Sequence, residues 1–245
     1  MSKAYIRNMP STKERKICLV TGASRGIGYE LVKRLSKESN CIVYAFSRNE
    51  DALKRLQSSN KNIRYFAGDL VNKEDRNKIT QIIKEEEGRL DLLFNNAGLL
   101  FNKDINLIKD DEIDLTFQVN IISVIKFIQA LLPLLSKSDE SHIVNISSMG
   151  GFQGSQKFKG LSVYSASKAA LNILSEALAE ELSEENICVN ALNLGAVQTE
   201  MLATAFPGYA APFGPEQMAE YIASFGLEAH KYINGKVLPI SIGNP

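Results

Sequence analysis

Tyr164 and Lys168 stand four residues apart at the start of a helix-like stretch, and Ser147–Ser148 closes the apolar run before them. On a helix that spacing puts the phenol and the ammonium on one face, about one turn apart. A cation near a phenol favours the phenolate and lowers a pKa that would otherwise sit near ~10. A serine hydroxyl that can hold a substrate oxygen completes a set of groups suited to acid–base work on a carbonyl or an alcohol. An isolated Tyr-x-x-x-Lys is also an ordinary surface pair on a helix. The reading therefore depends on what else the chain supplies.

The elements that would position these groups alternate between strand and helix. Apolar runs predict strands at Lys16–Thr21, Cys41–Phe46, Asn62–Ala67, Leu90–Phe94, Ser141–Ser147, Ile187–Leu192 and Lys236–Ile242. Helical patterns are expected at Ile27–Leu35, Lys73–Glu87, Asp110–Leu135, Ser162–Leu182 and Pro215–Phe225. In the stretch from Ser162, Leu171, Leu174, Leu178 and Leu182 recur at helical spacing. Such alternation implies a parallel sheet covered by helices on both faces. No Pro- or Ser-rich linker divides the chain, so one domain is expected over 16–245. Residues 1–15 read as a mobile polar arm.

Composition narrows the partners. Lysine plus arginine equal aspartate plus glutamate at 28 each among 245 residues, which gives no support for a nucleic-acid or anionic-membrane partner. No apolar run is expected to span a membrane, and Met1–Arg15 lacks the apolar core of a secretory signal. Cys18, Cys41 and Cys188 fall in strand-like runs without metal-like spacing, so small buried hydrophobes are expected. The two histidines, His142 and His230, lie far apart in sequence, and no metal site is expected. A cytoplasmic location follows from these features together. Phe117–Leu135 is apolar on nearly every side, which predicts deep burial or an interface. A homo-oligomer, dimer or tetramer, is expected through the helices at about 110–135 and 162–182.

A glycine-rich turn follows the first strand: Thr21-Gly22-Ala23-Ser24-Arg25-Gly26-Ile27-Gly28. Small residues there let a backbone approach a pyrophosphate, whose charge meets free N–H groups at a helix N-terminus. Twenty residues past Gly28, beside Ser47, stands Arg48. An acidic residue in that region would bind the ribose 2′-hydroxyl of NAD, whereas an arginine suits the 2′-phosphate of NADP. With Arg25 in the turn itself, two cations favour NADP(H) over NAD(H).

Together these motifs resemble the short-chain dehydrogenase/reductase family, over Lys16 to about Ile242. The resemblance implies a single-domain, Rossmann-like, doubly wound α/β fold whose seven parallel strands run in the order 3-2-1-4-5-6-7. The turn from Thr21 to Gly28 matches the family's coenzyme turn, including Gly22, Ser24, Arg25, Gly26, Ile27 and Gly28. Asp69 and Leu70 are similar to the pair at the adenine. Asn95-Asn96-Ala97-Gly98 resembles the motif after the fourth strand, placing Asn96, Ala97 and Gly98 beside the cofactor. Asn120, Ser148, Tyr164 and Lys168 match the family's catalytic residues. The implied mechanism moves hydride between a nicotinamide and a carbonyl carbon. Tyr164 would be the general acid or base, and Ser148 would hold the oxygen. Lys168 would bind the nicotinamide ribose and lower the phenol's pKa. Asn120, in an otherwise apolar stretch, would hold a water linked to Lys168; a buried amide needs partners.

The sequence also departs from the family pattern. Leu194 stands where proline is expected before Gly195, Val197 and Thr199, the residues expected at the carboxamide, which puts the stiffness of that segment in question. Ser148 and Tyr164 are 16 residues apart, a few more than is common, with the insert near Phe152–Gly160. The C-terminus, Ser241–Pro245, lacks the usual Asp-Gly-Gly. A substrate loop is expected at about 199–214. Its Met201, Leu202, Phe206, Tyr209 and Phe213 either cover an apolar or aromatic carbonyl substrate, or a 3-oxoacyl thioester, or simply pack the loop down. A second reading makes the chain a dinucleotide-binding regulator or scaffold with little catalysis.

Overall fold

The computed structural model describes residues 15–242. The arm expected over 1–15 lies outside the described residues except for Arg15, as do Gly243, Asn244 and Pro245. Seven strands form one parallel sheet: β1 (Lys16–Thr21), β2 (Cys41–Ser47), β3 (Ile63–Ala67), β4 (Leu92–Asn95), β5 (Ser141–Ser148), β6 (Ile187–Leu194) and β7 (Val237–Ile240). Their order is β3-β2-β1-β4-β5-β6-β7, the Rossmann-like order that the resemblance implied. β1, β2 and β4 are buried along almost their whole length, as strands covered on both faces must be.

Eight α-helices flank the sheet among the described residues: α1 (Gly26–Ser36), α2 (Glu50–Ser59), α3 (Lys73–Glu86), α4 (Asp110–Phe117), α5 (Ser123–Leu135), α6 (Ser162–Glu181), α7 (Glu200–Ala205) and α8 (Pro215–Glu228). Two apolar layers result. Leu31 and Leu35 of α1, Leu53 and Leu56 of α2, and Met218 and Ile222 of α8 cover one face. Ile79 and Ile83 of α3, Phe127 and Leu131 of α5, and Leu171 of α6 cover the other.

Several boundaries differ from the sequence pattern, each for a local reason. α2 was not expected. Its charged sequence hides an apolar pair, Leu53 and Leu56, and its start is fixed by Asn49, whose side chain accepts from the Ala52 amide at 3.0 Å. Leu90 and Asp91 lie before β4 rather than in it, and the Asp91 carboxylate accepts from the Ile17 amide at 2.6 Å and the Ser138 hydroxyl at 2.6 Å. The helical run expected over Asp110–Leu135 is interrupted by a π-helical turn, Gln118–Ile122. An 18-residue window within that run reaches a mean hydropathy of 1.6, enough by length and composition alone for a membrane span, a feature the sequence pattern did not single out. Val124, Phe127, Ile128, Leu131, Leu134 and Leu135 nevertheless pack into the core. The expected substrate loop contains the short helix α7.

Leu194 answers the question of stiffness. β6 extends through it and pairs on both sides, with Ser148 of β5 and Ile240 of β7. The Gly195 amide then donates to the Ile240 carbonyl at 2.9 Å. Sheet pairing thus rigidifies the segment where a proline would have done so by fixing φ.

Candidate active site

The strand order reverses between β1 and β4, and ligands of doubly wound sheets sit outside the carboxyl ends of the strands at that point. A cavity of about 820 Å³ lies there, within the ~300–1,000 Å³ of ligand pockets. Gly22, Ser24, Arg25, Gly26, Ile27, Ser47, Arg48, Asp69 and Leu70 line one part of it, Asn96, Ala97, Gly98, Gly195, Val197 and Thr199 another, and Ser148 and Lys168 a third. Chain positions up to 177 residues apart (Gly22 and Thr199) are thus brought to one wall. Of the expected cofactor residues that do not line it, Gly28 packs behind the turn; a Cβ there would stand 2.4 Å from both the Gly22 carbonyl oxygen and the Asn96 amide nitrogen. Gly22 adopts φ +67°, a conformation that favours glycine.

The coenzyme turn is tied to the loop after β4 through Thr21, a residue the sequence pattern did not single out. Its hydroxyl donates to the Phe94 carbonyl at 3.3 Å and accepts from the Asn96 and Ala97 amides at 3.0 and 3.1 Å. The Asn96 side chain donates back to the Thr21 carbonyl at 3.0 Å. A buried relay continues behind it: Asn95 donates to Asn145 at 2.8 Å, and Asn145 donates to the Ser175 hydroxyl at 2.8 Å. Being a strand end, Thr21 carries no periodic signal; its role depends on which strand lies next to β1.

Ser148 ends β5, and its hydroxyl accepts from the Gly150 amide at 3.1 Å. Tyr164 and Lys168 lie in the first turns of α6. The Ser148 hydroxyl pulls the Tyr164 phenol's pKa down, but burial acts more strongly and leaves it above its ordinary value. The sequence spacing predicts that Lys168 lowers this pKa; burial sets its direction instead. The Lys168 ammonium lies 5.9 Å from the phenol ring centre and donates to the Ile146 carbonyl at 2.8 Å. Burial lowers the lysine's own pKa to about 8.

Asn120 is fully buried in the π-turn. Both its amide hydrogens are used, donating to the Leu99 carbonyl and the Ser167 hydroxyl at 2.9 Å each. Its carbonyl oxygen accepts from the Leu99 amide at 2.8 Å, leaving one lone pair. The side chain therefore fastens the loop after β4 to α6, and only that lone pair and the backbone are left for a water. A Cβ on Gly98 would stand 3.5 Å from the Lys168 ammonium and 3.7 Å from the Asn120 oxygen, in ordinary contact with both.

At the far end the two predicted cations already face carboxylates. Arg48 lies 4.0 Å from Asp69, and Arg25 donates to Glu200 at 2.9 Å. The substrate-loop residues divide. Met201 and Leu202 line the cavity, Phe213 packs against the core, and Tyr209 is exposed. Phe206 meets Phe158 of the insert edge-on at 6.2 Å, and Asn102 donates to the Ala205 carbonyl at 2.6 Å. The insert and the loop thus form one rim. His142 and His230, far apart in sequence, have ring centres 5.4 Å apart, yet no group of three or more metal-ligating side chains forms among the described residues.

Residues 16–210 match the family model described as short chain dehydrogenase. An uncharacterized oxidoreductase of Staphylococcus aureus is 31% identical over 221 residues, 89% of this chain and 94% of that protein. A 3-ketoacyl-(acyl-carrier-protein) reductase from Brucella melitensis, solved with NADH, superposes with a TM-score of 0.86 at 27% identity, over 95% of this chain and 99% of that one. The Pseudomonas aeruginosa RhlG/NADP complex gives a TM-score of 0.82 at 30% identity, over 94% and 96%.

Proposed function

The chain belongs to the short-chain dehydrogenase family of NAD(P)-dependent oxidoreductases, and on that premise we propose that it reduces a carbonyl, or oxidises the corresponding alcohol, with NADP(H) preferred over NAD(H). The observation that carries this reading is the meeting of Ser148, Lys168 and the coenzyme turn on one cavity, with Tyr164 one turn before Lys168 on α6.

The residues present suit a dinucleotide. The backbone of the Gly22–Gly28 turn is open to a pyrophosphate, and Arg25 and Arg48 offer donors to a 2′-phosphate. When bound, the nicotinamide supplies or accepts the hydride. Tyr164 then gives its phenolic proton to the carbonyl oxygen in reduction, or takes it from the alcohol in oxidation. Ser148 holds that oxygen by a hydrogen bond. Lys168, anchored to the Ile146 carbonyl, presents its charge to the ribose hydroxyls. The apolar rim of Phe158, Phe206, Met201 and Leu202 favours an apolar or aromatic carbonyl, or the acyl chain of a 3-oxoacyl thioester.

NADPH and NADH titrated into the purified protein, then a carbonyl panel in the same cuvette, test this. Tighter NADPH binding, consumed by a carbonyl, is the expected result. Arg48→Ala should weaken NADPH by about 1.5–3 kcal/mol, the scale of a hydrogen bond to a charged group, and leave NADH unchanged. Equal affinity for the two cofactors would refute the preference. Binding without turnover on any carbonyl would instead favour a regulator or scaffold.

Two further features belong to this proposal. The exposed Leu115 and Ile122 beside α5, with Ile173 of α6, support a homo-oligomer formed through those helices. The unbridged, buried thiols of Cys18 and Cys41 support work in a reducing, cytoplasmic setting.

A further inference from the structure

The Arg25–Glu200 pair joins two parts of the chain 175 residues apart across one edge of the cavity. Arg25 precedes the first turn of α1, where unpaired amides favour an anion and no acidic side chain of that turn supplies one. Glu200 opens α7, directly after Thr199, whose hydroxyl caps that helix by accepting from the Leu202 amide at 3.3 Å. The two segments touch at a second point. A Cβ on Gly26 would stand 3.4 Å from the Thr199 methyl. Both charged side chains line the cavity, and both are well exposed, at 63% and 69%.

We propose that Glu200 is a specificity-determining residue that holds Arg25 in place of the cofactor's 2′-phosphate, so that a 2′-phosphorylated dinucleotide must displace it while an unphosphorylated one does not. This rests on the function proposed above. The physical basis is competition for one guanidinium. A carboxylate carries one negative charge, whereas a phosphate monoester carries ~1.5–2 at neutral pH and three acceptor oxygens, so the phosphate wins the arginine. The displaced Glu200 then loses its tether, and α7, which bears the cavity-lining Met201 and Leu202, is released at that end. The protein thereby senses which dinucleotide has bound through the helix that also covers the substrate side. Arg48 does not supply the same link, because its carboxylate neighbour, Asp69, belongs to the loop after β3 rather than to α7.

The test uses the full chain and measures cofactor affinity by fluorescence titration, with hydrogen exchange over 200–205 as a second readout. Glu200→Gln removes the competitor. It should tighten NADPH roughly two- to fivefold, the worth of an exposed ion pair, and leave NADH affinity unchanged. In the wild-type protein, NADPH should speed exchange at 200–205 relative to NADH, and Glu200→Gln should abolish that difference. An unchanged NADPH-to-NADH ratio in Glu200→Gln would overturn the proposal. So would equal exchange with both cofactors in the wild type. The Arg25→Glu/Glu200→Arg exchange keeps the pair but reverses it, and should lose the NADPH preference. Failure of the underlying reading is separable, since it appears in the wild-type protein itself, as equal affinity for the two dinucleotides or binding of neither.

Discussion

The Lys168 ammonium donates to the Ile146 carbonyl at 2.8 Å, across from α6 to β5, and this bond aims the lysine into the cavity. Burial has lowered its pKa to about 8 from an ordinary 10.5. A group whose pKa is depressed in this way keeps its charge below that value and loses it above. In the free protein, kcat/KM for the cofactor should therefore fall as pH rises through about 8, because that ratio reports groups of the free enzyme. Lys168→Arg, which does not titrate in this range, should remove the fall. A flat wild-type profile from pH 7 to 9 would argue against a cofactor role for this charge.

Tyr164→Phe removes the phenolic proton while keeping the ring. Turnover should drop at least ~10²-fold, the scale of general acid–base catalysis, with NADPH affinity changed by less than a few fold. Near-normal turnover would overthrow the assignment. Because burial holds the phenol above its ordinary value, it is protonated at neutral pH. Carbonyl reduction should thus persist through neutral pH, and alcohol oxidation should rise as the solution becomes alkaline.

Asn120→Ala deletes two hydrogen bonds to Leu99 and one to Ser167. It strands the Leu99 amide and carbonyl in a partly buried site. Two unsatisfied groups at ~1–3 kcal/mol each predict a loss of about 2–6 kcal/mol in urea unfolding. A change below 1 kcal/mol would mean that water replaces the amide freely.

His142 is fully buried, its Nδ1 3.0 Å from the Gly226 carbonyl and its Nε2 2.9 Å from the Asn190 side-chain amide nitrogen. Burial lowers its pKa to about 4 from 6.5. The folded protein binds fewer protons here than the unfolded chain between those values, so stability falls as pH drops from 6.5 towards 4. The loss from this group should reach about 2 kcal/mol by pH 5. In His142→Gln the stability difference between pH 7 and pH 5 should shrink by that amount; an unchanged difference would place the acid sensitivity elsewhere.

Ile173 is 65% exposed on α6. If α5 and α6 form the expected interface, Ile173→Glu should yield a monomer by light scattering at micromolar concentration. A wild-type monomer under the same conditions would dismiss the interface altogether.

What the sequence determined by itself was everything written locally. Strand runs apolar on both faces imply a covered parallel sheet, because β1, β2 and β4 bury both sides wherever they lie. The Gly22–Gly28 turn is legible because φ +67° at Gly22 and the 2.4 Å approach at Gly28 exclude other side chains. Tyr164 and Lys168 share a helix face by spacing alone. The tertiary structure decided what depends on neighbours distant in sequence. It placed α2, whose two leucines count only against β2 and β3. It inserted the π-turn that turns Asn120 towards Leu99 and Ser167. It gave Leu194 two strand partners in place of proline's rigidity, and brought His142 beside His230. It also set the protonation of Tyr164 and Lys168, since burial is a property of the assembled core. The sequence presented Arg25 as a free cation; only the fold brought Glu200 within 2.9 Å of it, because charge pairing across 175 residues leaves no periodic trace.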